Sequence, residues 1–175
     1  MQGIQAEPKG SRIPQDLLGN SGWMYSSMDW NNAGPMPKGQ AFPHPGCKPG
    51  PKPRHSLEQQ VADNGWLITA WSWFGSHWAV IEGYVGTDLN CGATGVVRFA
   101  FFDRRYVGTL APVASEYYVE RLDSVEEQGQ ELVAHYRFRS NDDPRCCMGY
   151  SADVTYALRG DRLSLAQATE ISRSR

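Results

Sequence analysis

The chain has 175 residues, 41% of them hydrophobic and 21% charged, which fits one globular domain with a real core and excludes a disordered polar chain. Its 17 Lys and Arg face 19 Asp and Glu for a formal net charge of −2, with no long basic run, so nucleic acid is excluded as the expected partner. The most apolar window, Trp66 to Val85, is interrupted by Ser76, His77 and Glu82, and no stretch reaches the roughly 18–20 apolar residues of a membrane-spanning helix.

Residues 1–55 read as a Pro-rich, irregular N-terminal arm ahead of a domain over residues 56–175. Nine of the eleven prolines fall in this arm, and proline resists both helix and central strand. The run Phe42 to Arg54 suits extended, polyproline-like chain. The arm reads either as a flexible leader or as an ordered segment docked on the domain or on a partner; Trp23, Met24, Tyr25, Met28, Trp30 and Phe42, more large apolar groups than a free linker carries, speak for docking. The opening Met1-Gln2-Gly3-Ile4-Gln5 has no charged region followed by an apolar one, so the expectation is the mature part of an exported protein behind an added Met1.

Ser56-Leu57-Glu58-Gln59 has a capping-box pattern with Ser56 at the cap and Gln59 three residues on, which predicts a short helix over 57–63. Asn64-Gly65 is its stop, since both residues tolerate the left-handed conformation. From Trp66 the signal is strand. Residues 66–74 are rich in aromatic and β-branched side chains, Gly75-Ser76 makes a turn, and 78–85 form a second strand. Residues 86–95 read as a loop. Residues 96–102 and 106–110 form a hairpin around the polar tip Asp103-Arg104-Arg105.

Residues 117–125 and 131–139 form a second hairpin around Gln128-Gly129. In its later strand Leu132, Ala134, Tyr136 and Phe138 share one face, and Val133, His135, Arg137 and Arg139 the other, which describes a half-buried antiparallel strand. After a loop over 141–149, residues 154–158 and 162–165 form a final hairpin around Arg159-Gly160-Asp161. The expected fold is α+β and mainly β: a curved antiparallel sheet that curls or closes on itself, with one short helix and the arm.

Four cysteines, Cys47, Cys91, Cys146 and Cys147, suggest two disulfides and an oxidising compartment. Neighbouring Cα atoms lie about 3.8 Å apart, below the usual 4.4–6.8 Å of a bridged pair. The expected pairing therefore splits Cys146 and Cys147, one joining Cys47 and the other Cys91. A redox or metal-binding role for the adjacent pair is the competing reading, although Cys-x-x-Cys spacing is absent.

Signals for catalysis are weak. The sequence has no Gly-x-Ser-x-Gly elbow and no His-Glu-x-x-His motif, and Ser76 and His77 as strand neighbours would point to opposite faces. His77 then reads as a turn residue and His135 as part of a solvated strand face. Asp142-Asp143 reads as a structural loop, without EF-hand spacing. No catalytic residue, metal ligand or cofactor is assigned. Trp66, Trp71, Trp73, Phe74 and Trp78 lie within thirteen residues; most are expected to fill the core, while alternation should turn some of these rings outward. Trp71, Trp73 and Trp78, with Arg104, Arg105 and Tyr106 at the hairpin tip, are the candidate binding residues.

Three segments in order carry a resemblance: residues 97–109 with Phe101-Phe102 leading through a polar turn into Tyr106-Val107-Gly108-Thr109, the strand ending His135-Tyr136-Arg137-Phe138, and Asn141-Asp142-Asp143-Pro144-Arg145-Cys146-Cys147. Together with the hairpin at Gly160-Asp161, residues 56–168 resemble the LppP/LprE-type lipoproteins of the bacterial envelope. The chain departs from that family in lacking a lipobox cysteine at its start and in carrying Met148 where proline usually follows the cysteine pair. The resemblance implies an extracytoplasmic location, in the periplasm or cell envelope, and a disulfide role for the cysteines, without naming a reaction. The function expected is a non-catalytic envelope module that binds or scaffolds a partner protein through the arm or exposed aromatics. A small-ligand carrier with an apolar pocket, or an enzyme with an unrecognised site, are the alternatives.

Overall fold

A computed structural model describes residues 17–18, 23–24, 34–144 and 146–174. Tyr25, Met28 and Trp30, expected to dock, lie outside the described residues. The chain runs α1 (Ser56–Asp63), β1 (Leu67–Phe74), β2 (Trp78–Tyr84), β3 (Gly86–Thr87), β4 (Ala93–Thr94), β5 (Val97–Phe102), β6 (Arg105–Thr109), β7 (Glu120–Gln128), β8 (Glu131–Phe138), β9 (Tyr150–Arg159), β10 (Arg162–Ala168) and β11 (Ser172–Arg173). The fold is mainly antiparallel β with one short helix, as expected. The strands divide between two open sheets, however, where one curved sheet was expected. The first sheet has the order β1-β2-β5-β6, and the second β10-β9-β8-β7 with β11 also paired to β9. The loop expected over 86–95 contains the small β3-β4 ribbon.

Two cores explain the division. Trp78, Val80 and Ala100 from the first sheet share an apolar cluster with Leu132, Ala134, Tyr136 and Phe138 of β8 and with Tyr150, Ala152, Val154 and Tyr156 of β9. On the other face of the first sheet, Ala79, Ile81, Phe99 and Phe101 pack with Leu57 and Val61 of α1 and with Met36 of the arm. Alternation along β2 and β5 sends successive side chains into different cores, so these central strands are apolar on both faces. The result is three layers, with helix and arm over one sheet and the second sheet beneath it.

The helix begins one residue earlier than expected. His55, not Ser56, is the N-cap: its Nδ1 accepts from Leu57 N at 3.1 Å. The buried Glu58 decides this register. Its carboxylate accepts from Arg54 N at 2.6 Å, His55 N at 3.2 Å and the Ser72 hydroxyl of β1 at 2.7 Å. The stop at Asn64-Gly65 is as expected, with Gly65 at φ +93° lying so close to Gly39 that a side chain there would collide with its carbonyl.

The described part of the arm is tied to the domain at several points, although the Phe42 side chain, expected to dock, is 87% exposed. Gly39 N donates to Asn64 O, Phe42 N to Val85 O, and Trp66 Nε1 to Pro37 O. Trp23 and Met24 are buried in the core shared by the two sheets.

The cysteine pairing differs from expectation. Cys47 is joined to Cys91, with Cα atoms 5.4 Å apart, and Cys146 is paired with Cys147. Topology is the reason. Phe42 forms a bridge to Gly86, so the arm brings Cys47 alongside the β3-β4 turn that carries Cys91. The adjacent cysteines sit on the β8-β9 connection instead.

Candidate functional site

The cleft that gathers the most chemistry lies at one end of the first sheet. It has a volume of about 530 Å³, and His55, Phe74, Ser76, His77, Asp103 and Arg104 are among its lining residues. Three chain segments build it: the cap of α1, the β1-β2 turn and the β5-β6 turn. Register brings the two turns together. Trp78 of β2 opposes Phe102 of β5, so the residues just outside them, His77 and Asp103, become neighbours across the strand pair. Asp103 N donates to His77 O at 2.8 Å, and His77 Nδ1 lies 2.7 Å from Asp103 Oδ1. The Asp103 hydrogen bond and negative charge raise the His77 pKa above its ordinary value, with a smaller push from Glu127.

The second sheet braces this corner. Glu127 of β7 accepts from His77 N and from Trp78 N, each at 3.1 Å. Its carboxylate passes so close to Gly75 that a Cβ there would have to displace it. The opposite rim is charged. Asp103 and Arg104 both adopt left-handed backbone, at φ +46° and +66°, in a two-residue turn that ordinarily favours Asn-Gly. Arg104 Nη2 reaches back to the Ser56 hydroxyl at 2.6 Å. The apolar wall is Phe74, 44% exposed, whose ring lies 4.4 Å from that of His55.

Chemically the cleft offers a carboxylate-paired imidazole, a guanidinium and an aromatic wall. Among the described residues no hydroxyl or thiol hydrogen-bonds the His77 ring, so no nucleophile–base pair is formed. The described residues contain no group of three or more potential ligands suited to a metal ion. Asp143 has the structural role expected of it. Its carboxylate accepts from Ser140 N and Gly149 N, which hold it below the usual carboxylate range against the opposing effect of burial.

The candidate binding residues are scattered. Arg104 lines the cleft, and Arg105 is exposed beside it at the start of β6. Trp71 and Trp73 are half-buried against the shared core. Trp78, 1% exposed, is a core residue despite lining the cleft floor, with its indole donating to Gly129 O at 3.1 Å. Tyr106 is half-buried against Phe99 and Phe101, and burial pushes its phenol up to about 12. His77, Asp103 and His55 were not assigned to a common site from the sequence, because their meeting depends on strand register.

A second constellation is internal. Arg98 Nε lies 2.9 Å from Glu82 Oε2, and its Nη1 lies 3.6 Å from Glu120 Oε1, all three side chains being buried. Trp23 Nε1 donates to Glu120, and the hydroxyls of Tyr136 and Tyr156 are 2.9 Å apart nearby. Burial pushes the Glu120 carboxyl up, only partly offset by the Arg98 charge and the Trp23 indole. This network joins the two sheets and the arm, and none of its residues is among those lining the cleft.

Residues 77–161 match the LppP/LprE lipoprotein family. The match bears out the resemblance from β2 through β9, short of the full 56–168, and begins at His77, on the cleft rim. The LppP/LprE match supports a location in the bacterial cell envelope. Neither a curated protein nor a solved structure matches the chain. No helix among the described residues is long and apolar enough to cross a membrane.

Proposed function

We propose that this LppP/LprE-like chain is a non-catalytic extracytoplasmic module that binds a partner protein, and that the partner's segment enters the cleft between the α1 cap and the two sheet turns. The observation that carries this reading is the cleft's composition: an exposed Phe74 on one wall, His77 paired to Asp103 on the other, and Arg104 at the rim. An aromatic wall beside a few convergent polar groups suits a peptide segment. The braced turns favour binding without large rearrangement, because Glu127 ties the β1-β2 turn to the second sheet. An open cleft also suits a chain segment better than an enclosed small ligand.

The test is site-specific photo-crosslinking in the source envelope, with the probe placed at Phe74 or, as a control, at Arg137 on the outer face of β8. A discrete adduct from position 74, lost in Arg104→Ala and absent from position 137, supports the reading. Equal crosslinking from both positions, or none from either, overturns it.

The His77–Asp103 pair favours a second reading, an acid–base enzyme, since an imidazole held 2.7 Å from a carboxylate in a cleft is an arrangement suited to proton transfer. Turnover of a peptide or ester library that disappears in His77→Ala would replace the binding reading with this one.

A further inference from the structure

The two cysteine pairs are built for different work. Cys47 and Cys91 are 44 residues apart in sequence, and their Cα separation of 5.4 Å lies within the ordinary range for a disulfide. Joining them removes chain entropy from the unfolded state and fastens the arm to the β3-β4 ribbon. Cys146 and Cys147 are joined already by a peptide bond. Linking their sulfurs closes no further length of chain, so the link adds nothing to the fold in entropic terms. Adjacency holds their Cα atoms at 3.8 Å, below the 4.4–6.8 Å that bridged cysteines usually span.

The surroundings agree with that division. Both Cys146 and Cys147 are exposed on the β8-β9 connection; in the staple Cys91 is exposed as well, but Cys47 is half-buried with its sulfur 3.8 Å from Asp88 O. The connection is secured by other means. Asp143 accepts from Ser140 N at one end and Gly149 N at the other, and Arg139 Nη2 donates to Asp143 O at 3.2 Å. Ser174 N, beside β11, donates to Gly149 O at 2.7 Å. Opening the sulfur link therefore leaves the loop ends tied.

We propose that Cys146 and Cys147 form a thiol–disulfide exchange site whose substrate class is an extracytoplasmic dithiol, while Cys47–Cys91 is the permanent staple. In the forward step a thiolate of the dithiol attacks one sulfur of the pair. The Cys146–Cys147 bond breaks, a mixed disulfide forms, and the other cysteine leaves as thiolate and takes up a proton. The second thiol of the substrate then attacks the mixed disulfide. The substrate departs as a disulfide, oxidised by two electrons, and the chain is left with two thiols; two protons accompany the two electrons.

The test is an equilibrium titration of the full air-oxidised chain with dithiothreitol, quenched with N-ethylmaleimide and read by peptide mass mapping. Cys146 and Cys147 are expected to be alkylated together at a dithiothreitol concentration at least about tenfold below that needed for Cys47 and Cys91, with tryptophan fluorescence unchanged in between. The double variant C146S/C147S is expected to keep the native circular-dichroism spectrum and to lose only the low-concentration step. Opening of Cys47–Cys91 first or simultaneously would overturn the proposal. So would alkylation of Cys146 and Cys147 before any reductant is added, a bond from either of them to Cys47 or Cys91, or unfolding of the double variant.

Discussion

Arg98 of β5 and Glu82 of β2 are direct register partners whose charged groups meet at 2.9 Å with 4% of each side chain exposed. Burial works against the Arg98 charge, and Glu82, Tyr136 and Glu120 together more than restore it. Removing one partner strands a buried charge. Glu82→Leu is therefore expected to cost about 3–5 kcal/mol in urea unfolding, while the triple variant E82L/R98M/E120L recovers most of that loss. A single variant as stable as the parent would show that the network is dispensable.

The helix cap gives an acid-sensitive contribution. Burial acts to raise the Glu58 pKa, but the N–H groups of Arg54 and His55, the Ser72 hydroxyl and the Arg54 charge outweigh it, and the net shift is downward from 4.5. A depressed folded-state pKa means stabilisation that is present above the unfolded value and lost as pH falls through the folded one. Glu58→Gln should cost about 1.5–3 kcal/mol at neutral pH, the range for hydrogen bonds to a charged group. The gap between variant and parent should narrow as pH falls below 4.5 and through the depressed folded-state value, followed by thermal melts across pH.

The His77–Asp103 pair has the opposite sign. Its folded-state pKa is raised above 6.5, so its stabilisation is full below that value and disappears as pH rises through the folded pKa. Parent and Asp103→Asn should therefore differ most in melting temperature near pH 5–6 and converge on the alkaline side. A difference that grows with pH would contradict the pairing.

The turn that positions Arg104 is held at a backbone cost. Left-handed conformation at a non-glycine residue is unfavourable by roughly 1–2 kcal/mol, more than one exposed hydrogen bond to Ser56 returns. Arg104→Gly should match or exceed the parent's stability while weakening crosslinking from Phe74. Loss of stability instead would make Arg104 a structural residue.

The staple should carry measurable stability. With its ends 44 positions apart in sequence, the chain-entropy model assigns Cys47–Cys91 up to about 4 kcal/mol. C47S/C91S is expected to lose a large part of that in chemical denaturation, in contrast to C146S/C147S.

Much of the architecture was legible residue by residue. The Leu132, Ala134, Tyr136, Phe138 alternation faces the core as expected, and the hairpin tip falls at Gly129-Gln130, one residue on from the expected Gln128-Gly129. The β1-β2 and β5-β6 hairpins are likewise within a residue or two of their expected ends. The helix cap was misplaced because His55 is not a usual capping residue, and Glu58 has meaning only once Ser72 is beside it.

Local chemistry by itself determined the mainly antiparallel architecture, the helix stop, the turns and the envelope-family resemblance, since each depends on neighbours a few residues apart or on a short ordered motif. Only the tertiary structure decided how many sheets the strands make, which cysteines meet, and that His77 faces Asp103 while Glu82 faces Arg98. Those outcomes depend on strand register and on which layer covers each face. Contacts between residues 16, 26 or 44 positions apart leave no mark in local patterning, because the energy that selects them comes from burying both faces of β2 and β5 at once.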